Sequence, residues 1–141
     1  MVVSDAAGAV EFLRTVFDAV GQVQAERPTE VRIGDSLVMV TAATEREPFP
    51  AFLYVYVGDA DLIYNRALNA GATSLEAPLN TPYGDRRAMV RDPFGNVFQI
   101  AHRTDDGQRL SAYTVPIRPG SPATALRRWR PFPAHPNPGS R

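Results

Sequence analysis

Val90-Arg91-Asp92-Pro93-Phe94-Gly95-Asn96-Val97-Phe98-Gln99-Ile100 reads as a strand, a tight turn and a second strand. Pro93 presets the first central φ of the turn, Gly95 supplies the φ > 0 position after Phe94, and Asp92 can accept hydrogen bonds from the turn backbone. The stretch is therefore a hairpin, and its place late in the chain makes it the closing one.

Working back from it, the chain falls into two similar stretches. Val2-Val3 is the stub of a strand, and Ser4 or Asp5 caps a helix. Ala6, Ala9, Val10, Leu13, Val16, Phe17 and Val20 then recur at helical spacing, predicting a helix over about residues 5 to 20 that Gly21 ends. Short strands are expected around Val20 to Ala25, Thr29 to Ile33 and Ser36 to Thr41, with Gly34-Asp35 as the turn between the last two. Thr44 to Pro50 is polar and broken by proline, so it reads as a linker.

The same order then returns. Phe52 to Val57 is an apolar strand, and Asp59 caps a helix over about residues 59 to 70 that Gly71 ends. Thr73 to Ala77 is a strand, Asn80 to Asp85 a loop, and Arg87 to Arg91 and Val97 to His102 are the last strands. Val3-Ser4-Asp5-Ala6 matches Val57-Gly58-Asp59-Ala60 at an offset of 54, and Gly34 matches Gly95 as the glycine before a final strand.

This doubled order and the Asp-Pro-Phe-Gly-Asn hairpin resemble the vicinal-oxygen-chelate superfamily, which holds glyoxalase I, extradiol dioxygenases and bleomycin-resistance proteins. The resemblance covers roughly residues 2 to 103. Arg32-Ile33-Gly34-Asp35-Ser36 and Tyr83-Gly84-Asp85-Arg86 look most like the PhnB-like subgroup. It implies an α+β fold of two tandem βαβββ units forming an open cup-shaped barrel. The expected organisation is a domain at 1–103, with a first unit at 1–43 and a second at 51–103, followed by a Pro/Arg-rich tail at 104–141.

Composition narrows the function classes. At 141 residues there is room for one domain with a real core. No run is apolar enough to span a membrane and no basic-then-apolar leader opens the chain, so a cytoplasmic protein with no membrane partner is expected. There is no cysteine, hence no thiolate chemistry, and His102 and His135 alone cannot make a histidine-rich metal site. All 15 basic residues are Arg, which excludes a catalytic lysine. Residues 1 to 103 carry 9 Arg against 13 acids and residues 104 to 141 carry 6 Arg against 2, so the domain offers nucleic acid no basic face. Seven of the 13 prolines lie in the tail. Within it, Ser121 to Arg130 has the marks of two helical turns carrying Leu126 and Trp129. The tail is thus a solvated basic segment, a segment docking on this or a partner subunit, or a contact for an acidic partner.

In the superfamily four inward side chains hold a divalent metal, one from the first and one from the last strand of each unit. Carried over, the first position falls before Met1, its counterpart is Phe52, the next is Val38 or Met39, and the last is Gln99. Only Gln99 offers a donor atom suited to such an ion. No metal and no cofactor are therefore expected. His102, three residues along the strand from Gln99, points to the other face.

What remains is an aromatic cup. Alternation puts Phe52, Tyr54 and Tyr56 on one face and Leu53, Val55 and Val57 on the other. If the aliphatic set packs on the helices, the aromatics line the cup, with Gln99 and Ala101 beside them. The bland alternative is a closed core strand. Tyr83, Asp85, Arg86 and Arg87 form a polar group at the rim, where Asp85 with either arginine would orient a ligand carboxylate or carbonyl, unless they make only a surface ion pair.

The leading expectation is metal-independent binding of a small, planar or aromatic organic molecule, as in antibiotic resistance or biosynthesis. The ligand-binding residues would be Phe52, Tyr54, Tyr56, Tyr83, Arg86, Arg87 and Gln99. The alternatives are a metal-independent isomerase, cyclase or lyase using Tyr54, Tyr56 or Asp85 as acid or base, a partner protein working through its basic tail, and a glyoxalase- or dioxygenase-like metalloenzyme. A homodimer is expected, because the short first strand leaves a sheet edge to cover.

Overall fold

A computed structural model describes residues 1–44 and 46–104. The elements are β1 (Val2–Val3), α1 (Ala6–Phe17), β2 (Thr29–Ile33), β3 (Ser36–Ala42), β4 (Phe52–Tyr56), α2 (Ala60–Asn69), β5 (Thr73–Asn80), β6 (Asp85–Arg91) and β7 (Val97–Arg103). They form two sheets, ordered β1-β3-β2 and β4-β7-β6-β5, in which β1 and β4 run parallel to the last strand of their own unit. This is the α+β architecture of two βαβββ units. The tail, its expected helix around Ser121 to Arg130, and His135 lie outside the described residues.

Both helices start as the matched Val-x-Asp-Ala motifs require. Asp5 accepts from the Gly8 N–H at 2.8 Å and Asp59 from the Leu62 N–H at 3.1 Å, so each carboxylate satisfies a helix-end donor. The first helix stops earlier than Gly21, because Asp18 takes the left-handed conformation (φ 53°) and turns the chain out. Gly21 serves close approach instead: a Cβ there would lie 2.5 Å from the Glu30 carbonyl oxygen.

The strand expected around Val20 to Ala25 is reduced to one bridge, Val20 to Arg32. Beyond it the Gln24 N–H turns to the Thr29 hydroxyl rather than to a ladder, and Pro28 has no N–H to give. Conversely β5 continues past Ala77 to Asn80, shifting register between Glu76 and Leu79, where Pro78 lies. An edge strand tolerates that interruption. β6 begins at Asp85, so Asp85 and Arg86 are strand residues and not loop residues.

The helices cover one side of both sheets. Val3, Val31 and Val40 from the first and Val90, Phe98 and Ile100 from the second join the buried stripe of α1 in a single cluster. The Phe98 ring sits 5.9 Å from Phe12 and 5.2 Å from Phe17. The closing hairpin is locked from inside: Asp92 accepts from the Phe94 and Asn96 N–H groups at 2.9 and 2.8 Å and from the Asn96 side chain at 2.7 Å. Asn96 in turn accepts from the Ala51 N–H at 2.9 Å, tying the turn to the start of β4.

Candidate functional site

The register of the second sheet decides what faces away from the helices. Tyr54 lies beside Gln99 and Tyr56 beside Ala101 on β7, and Ala101 in turn lies beside Arg87 on β6. Period-2 alternation therefore gathers Phe52, Tyr54, Tyr56, Gln99, Ala101, Arg103, Asp85 and Arg87 on the open face. Leu53, Val55 and Val57 pack against the core. The aromatics are not a closed core: Phe52 is 62%, Tyr54 40% and Tyr56 54% exposed.

Asp85 organises this face. It is 4% exposed, and its Oδ2 accepts from the Tyr54 hydroxyl at 2.9 Å and from the Tyr56 hydroxyl at 2.8 Å. Because β7 stands between β4 and β6, both phenols reach across β7 to meet the carboxylate. The methyl side chain of Ala101 permits that crossing and is buried under it. The space expected beside Gln99 over Ala101 is thus filled by tyrosine. The two rings lie 5.2 Å apart, tilted by 38°, and the Arg103 guanidinium sits 5.6 Å from the centre of the Tyr56 ring.

This arrangement fixes the protonation of the phenols. Burial first, then the hydrogen bonds to Asp85 and Tyr83 and the charge of Asp85, push Tyr54 far above the ordinary phenol range. For Tyr56 the hydrogen bond to Asp85 comes first and burial second. Both hydroxyls are donors at neutral pH, so neither serves as a general base.

The rim arginines do not partner Asp85. Arg86 points to the helix side, where its Nε and a terminal nitrogen each lie 2.8 Å from an oxygen of Asp61 on α2. It therefore leaves the set of ligand-binding candidates, since one step along a strand reverses the face. Arg87 is on the open face but engaged, donating to Glu76 at 2.9 and 2.7 Å and to the Tyr83 hydroxyl at 3.0 Å. His102 faces the helices, and its Nδ1 accepts from the Ala60 N–H at 2.8 Å. Two residues of the face were missed in the sequence. Arg103 continues the Gln99, Ala101 alternation and was legible there; Glu76 depends on the pairing of β5 with β6.

The residues at the superfamily's metal positions do not fit a metal. β1 pairs Val2 with Thr41 as β4 pairs Tyr56 with Ala101, so Gln99 corresponds to Met39 rather than Val38. Val38 packs on the core, whereas Met39 is exposed. Phe52 and Met39 bring no hard donor, which leaves the Gln99 amide alone. Among the described residues no three His, Cys, Asp or Glu side chains gather as a metal site would need.

A groove of ≈ 640 Å³ adjoins this face, running between β3 and β4 and lined by Leu37, Val38, Tyr54 and Tyr56 among others. No helix among the described residues is long and apolar enough to cross a membrane.

Comparison with known proteins agrees with the architecture. The chain is 33% identical over 118 residues to "Uncharacterized protein Rv0887c" of Mycobacterium tuberculosis strain H37Rv, covering 71% of this chain and 69% of that protein. "Uncharacterized protein Mb0911c" of Mycobacterium bovis matches at the same identity, over 71% of this chain and 78% of its own length. Among solved structures, TioX from Micromonospora sp. ML1 superposes with a TM-score of 0.64 at 24% identity, covering 73% of this chain and 94% of that one. A glyoxalase/bleomycin resistance protein/dioxygenase family enzyme from Burkholderia phytofirmans PsJN gives 0.63 at 23% identity over the same shares. At such identities the two structures speak for the fold alone. The model of the glyoxalase/bleomycin resistance protein/dioxygenase superfamily matches residues 1–100. With that match, the doubled unit and the closing hairpin, the chain belongs to the glyoxalase/bleomycin resistance protein/dioxygenase superfamily.

Proposed function

We propose that this protein binds a small planar aromatic molecule on the open face of β4, β7 and β6 without a metal, in the manner of the bleomycin-resistance members of the superfamily, and that it falls in the PhnB-like subgroup. The observation that carries the proposal is the exposure of Phe52, Tyr54 and Tyr56 as one aromatic row whose phenols are pinned from beneath by Asp85. Pinned rings lose little conformational freedom when a flat ligand stacks on them, and stacking is worth about 0.5–1.5 kcal/mol per ring pair beyond area burial. Gln99, on the same face, supplies an amide to orient the ligand. The enzymatic alternative is weaker, because the two phenols that would move protons are held protonated and the carboxylate oxygen nearest them already accepts twice.

The test is a fluorescence titration with acridine as a neutral planar probe. Saturable binding should weaken at least tenfold in Tyr54→Ala and in Tyr56→Ala, and by only a few fold in Gln99→Ala. Binding indifferent to all three changes would remove the proposal. We propose in addition a cytoplasmic homodimer, checked by light scattering at high micromolar concentration, where a single monomeric mass would contradict it.

A further inference from the structure

A phenol hydroxyl ordinarily adapts to its partner, since it has one proton to give and two lone pairs that accept. At Tyr54 and Tyr56 that freedom is gone. A carboxylate only accepts, so both hydroxyls spend their protons on Asp85 Oδ2, at 2.9 and 2.8 Å. Asp85 is itself held in place by Thr81. The Thr81 hydroxyl accepts from the Asp85 N–H at 2.9 Å and donates to the Asp85 carbonyl at 3.1 Å, and the Thr81 N–H donates to the same carbonyl at 2.7 Å.

Turning either phenol toward the cup would strip a hydrogen bond from a buried carboxylate. The arginines next to it in β6 offer no replacement, because Arg86 is paired with Asp61 and Arg87 with Glu76. The two hydroxyl oxygens therefore present only lone pairs to the cup. Arg87 sends its remaining donor to the Tyr83 hydroxyl, and the Arg103 guanidinium lies over the Tyr56 ring, 5.6 Å from its centre. The Tyr83 hydroxyl, which keeps its own proton, engages at most one lone pair of Tyr54. Both oxygens lie within 2.9 Å of one carboxylate atom, so a single ligand edge reaches both.

We propose that the ligand of this face is a planar aromatic compound with an N–H donor on its edge, of the lactam or amino type, selected by the Tyr54 and Tyr56 hydroxyl oxygens. Asp85 is the positioning residue that fixes their polarity. The inference rests on the aromatic-face reading above and adds the chemistry of the edge. A flat ligand without a donor covers these acceptors and leaves them unpaired, whereas an N–H meets oxygens made stronger acceptors by the charge behind them. A ligand edge of carboxylate oxygens sets lone pairs against lone pairs and is rejected. Gln99, beside Tyr54 on β7, carries both a carbonyl and an amide N–H and suits either polarity on the ligand's other edge.

The test compares acridone with N-methylacridone by fluorescence titration of the full chain. Both are flat, uncharged and fluorescent, and they differ in the one N–H. Acridone should bind about tenfold more tightly. Tyr54→Phe and Tyr56→Phe each keep the ring and leave Asp85 one phenol, and each should lower that ratio about threefold or more. Asp85→Asn leaves both hydroxyls in place but offers them an amide that also donates, so it too should lower the ratio, a change that a merely structural role would not produce. Equal binding of the two probes, or tighter binding of N-methylacridone, overturns this inference and leaves the aromatic-face reading standing. A ratio that persists in both phenylalanine variants shows that the methyl group acts by bulk and overturns it as well, and a ratio unchanged in Asp85→Asn overturns the positioning role. Binding of neither probe removes the aromatic-face reading and this inference together.

Discussion

Replacing Asp85 by Asn removes the charge beneath two phenols and keeps an oxygen able to accept. A hydrogen bond to a charged group contributes about 1.5–3 kcal/mol when buried. Tyr54 and Tyr56 are 40% and 54% exposed, so water takes up much of what is lost. The expected stability loss is about 1 kcal/mol for Asp85→Asn and about 2 kcal/mol for Asp85→Ala. The larger effect is on titration. The hydrogen bond to Asp85 is the leading cause of the raised Tyr56 pKa, whereas burial leads for Tyr54. The substitution should therefore lower the Tyr56 pKa towards the ordinary phenol value, and Tyr54 should remain the higher of the two. Both phenols are raised relative to the unfolded chain, so their contribution to stability is whole below about pH 10 and is lost as the pH climbs through the folded values. Asp85→Asn should flatten that alkaline loss. Nuclear magnetic resonance of tyrosines labelled at the ring carbon bearing the hydroxyl follows each titration separately. If Tyr56 does not move, or if Tyr54 drops beneath it, the shared-carboxylate account is wrong.

Three further outcomes are expected. His102→Ala should cost about 1–3 kcal/mol in urea unfolding, because the N–H of the fully buried Ala60 loses its acceptor; an unchanged midpoint would contradict that. Gly21→Ala should cost about 1–3 kcal/mol by pressing a methyl onto the Glu30 carbonyl, whereas Gly34→Ala, in open space but at φ +58°, should cost only about 1 kcal/mol and Gly34→Asn less. Zinc, nickel, iron(II) and manganese should leave the melting temperature unchanged, because a ion bound only by the native state must raise it; a stoichiometric stabilisation abolished by Gln99→Ala would restore the metalloenzyme reading.

Local chemistry already wrote much of this fold into the sequence. The Asp caps at Asp5 and Asp59, the Asp-Pro-Phe-Gly-Asn turn and the alternation along Phe52 to Val57 depend only on neighbours within a few residues, and each stands where its pattern placed it. The faces of Phe52, Tyr54, Tyr56, Gln99 and His102 followed, because a strand's period of two needs no tertiary knowledge. The residues between regular elements were less legible. Val20 to Ala25 had a strand's letters but no continuous partner, and Asp85 and Arg86 looked like loop residues until the pairing of β6 with β7 included them. That one shift of boundary sends Arg86 to Asp61 and Asp85 to the tyrosines. The convergence of two phenols on one carboxylate could not be read in the sequence at all. It depends on the order β4-β7-β6, on a small residue at Ala101 in the strand between them, and on burial that comes only from packing. Sequence determined which side chains share a face, and tertiary structure decided which of them touch, because contacts across non-adjacent strands arise from sheet order and not from spacing along the chain.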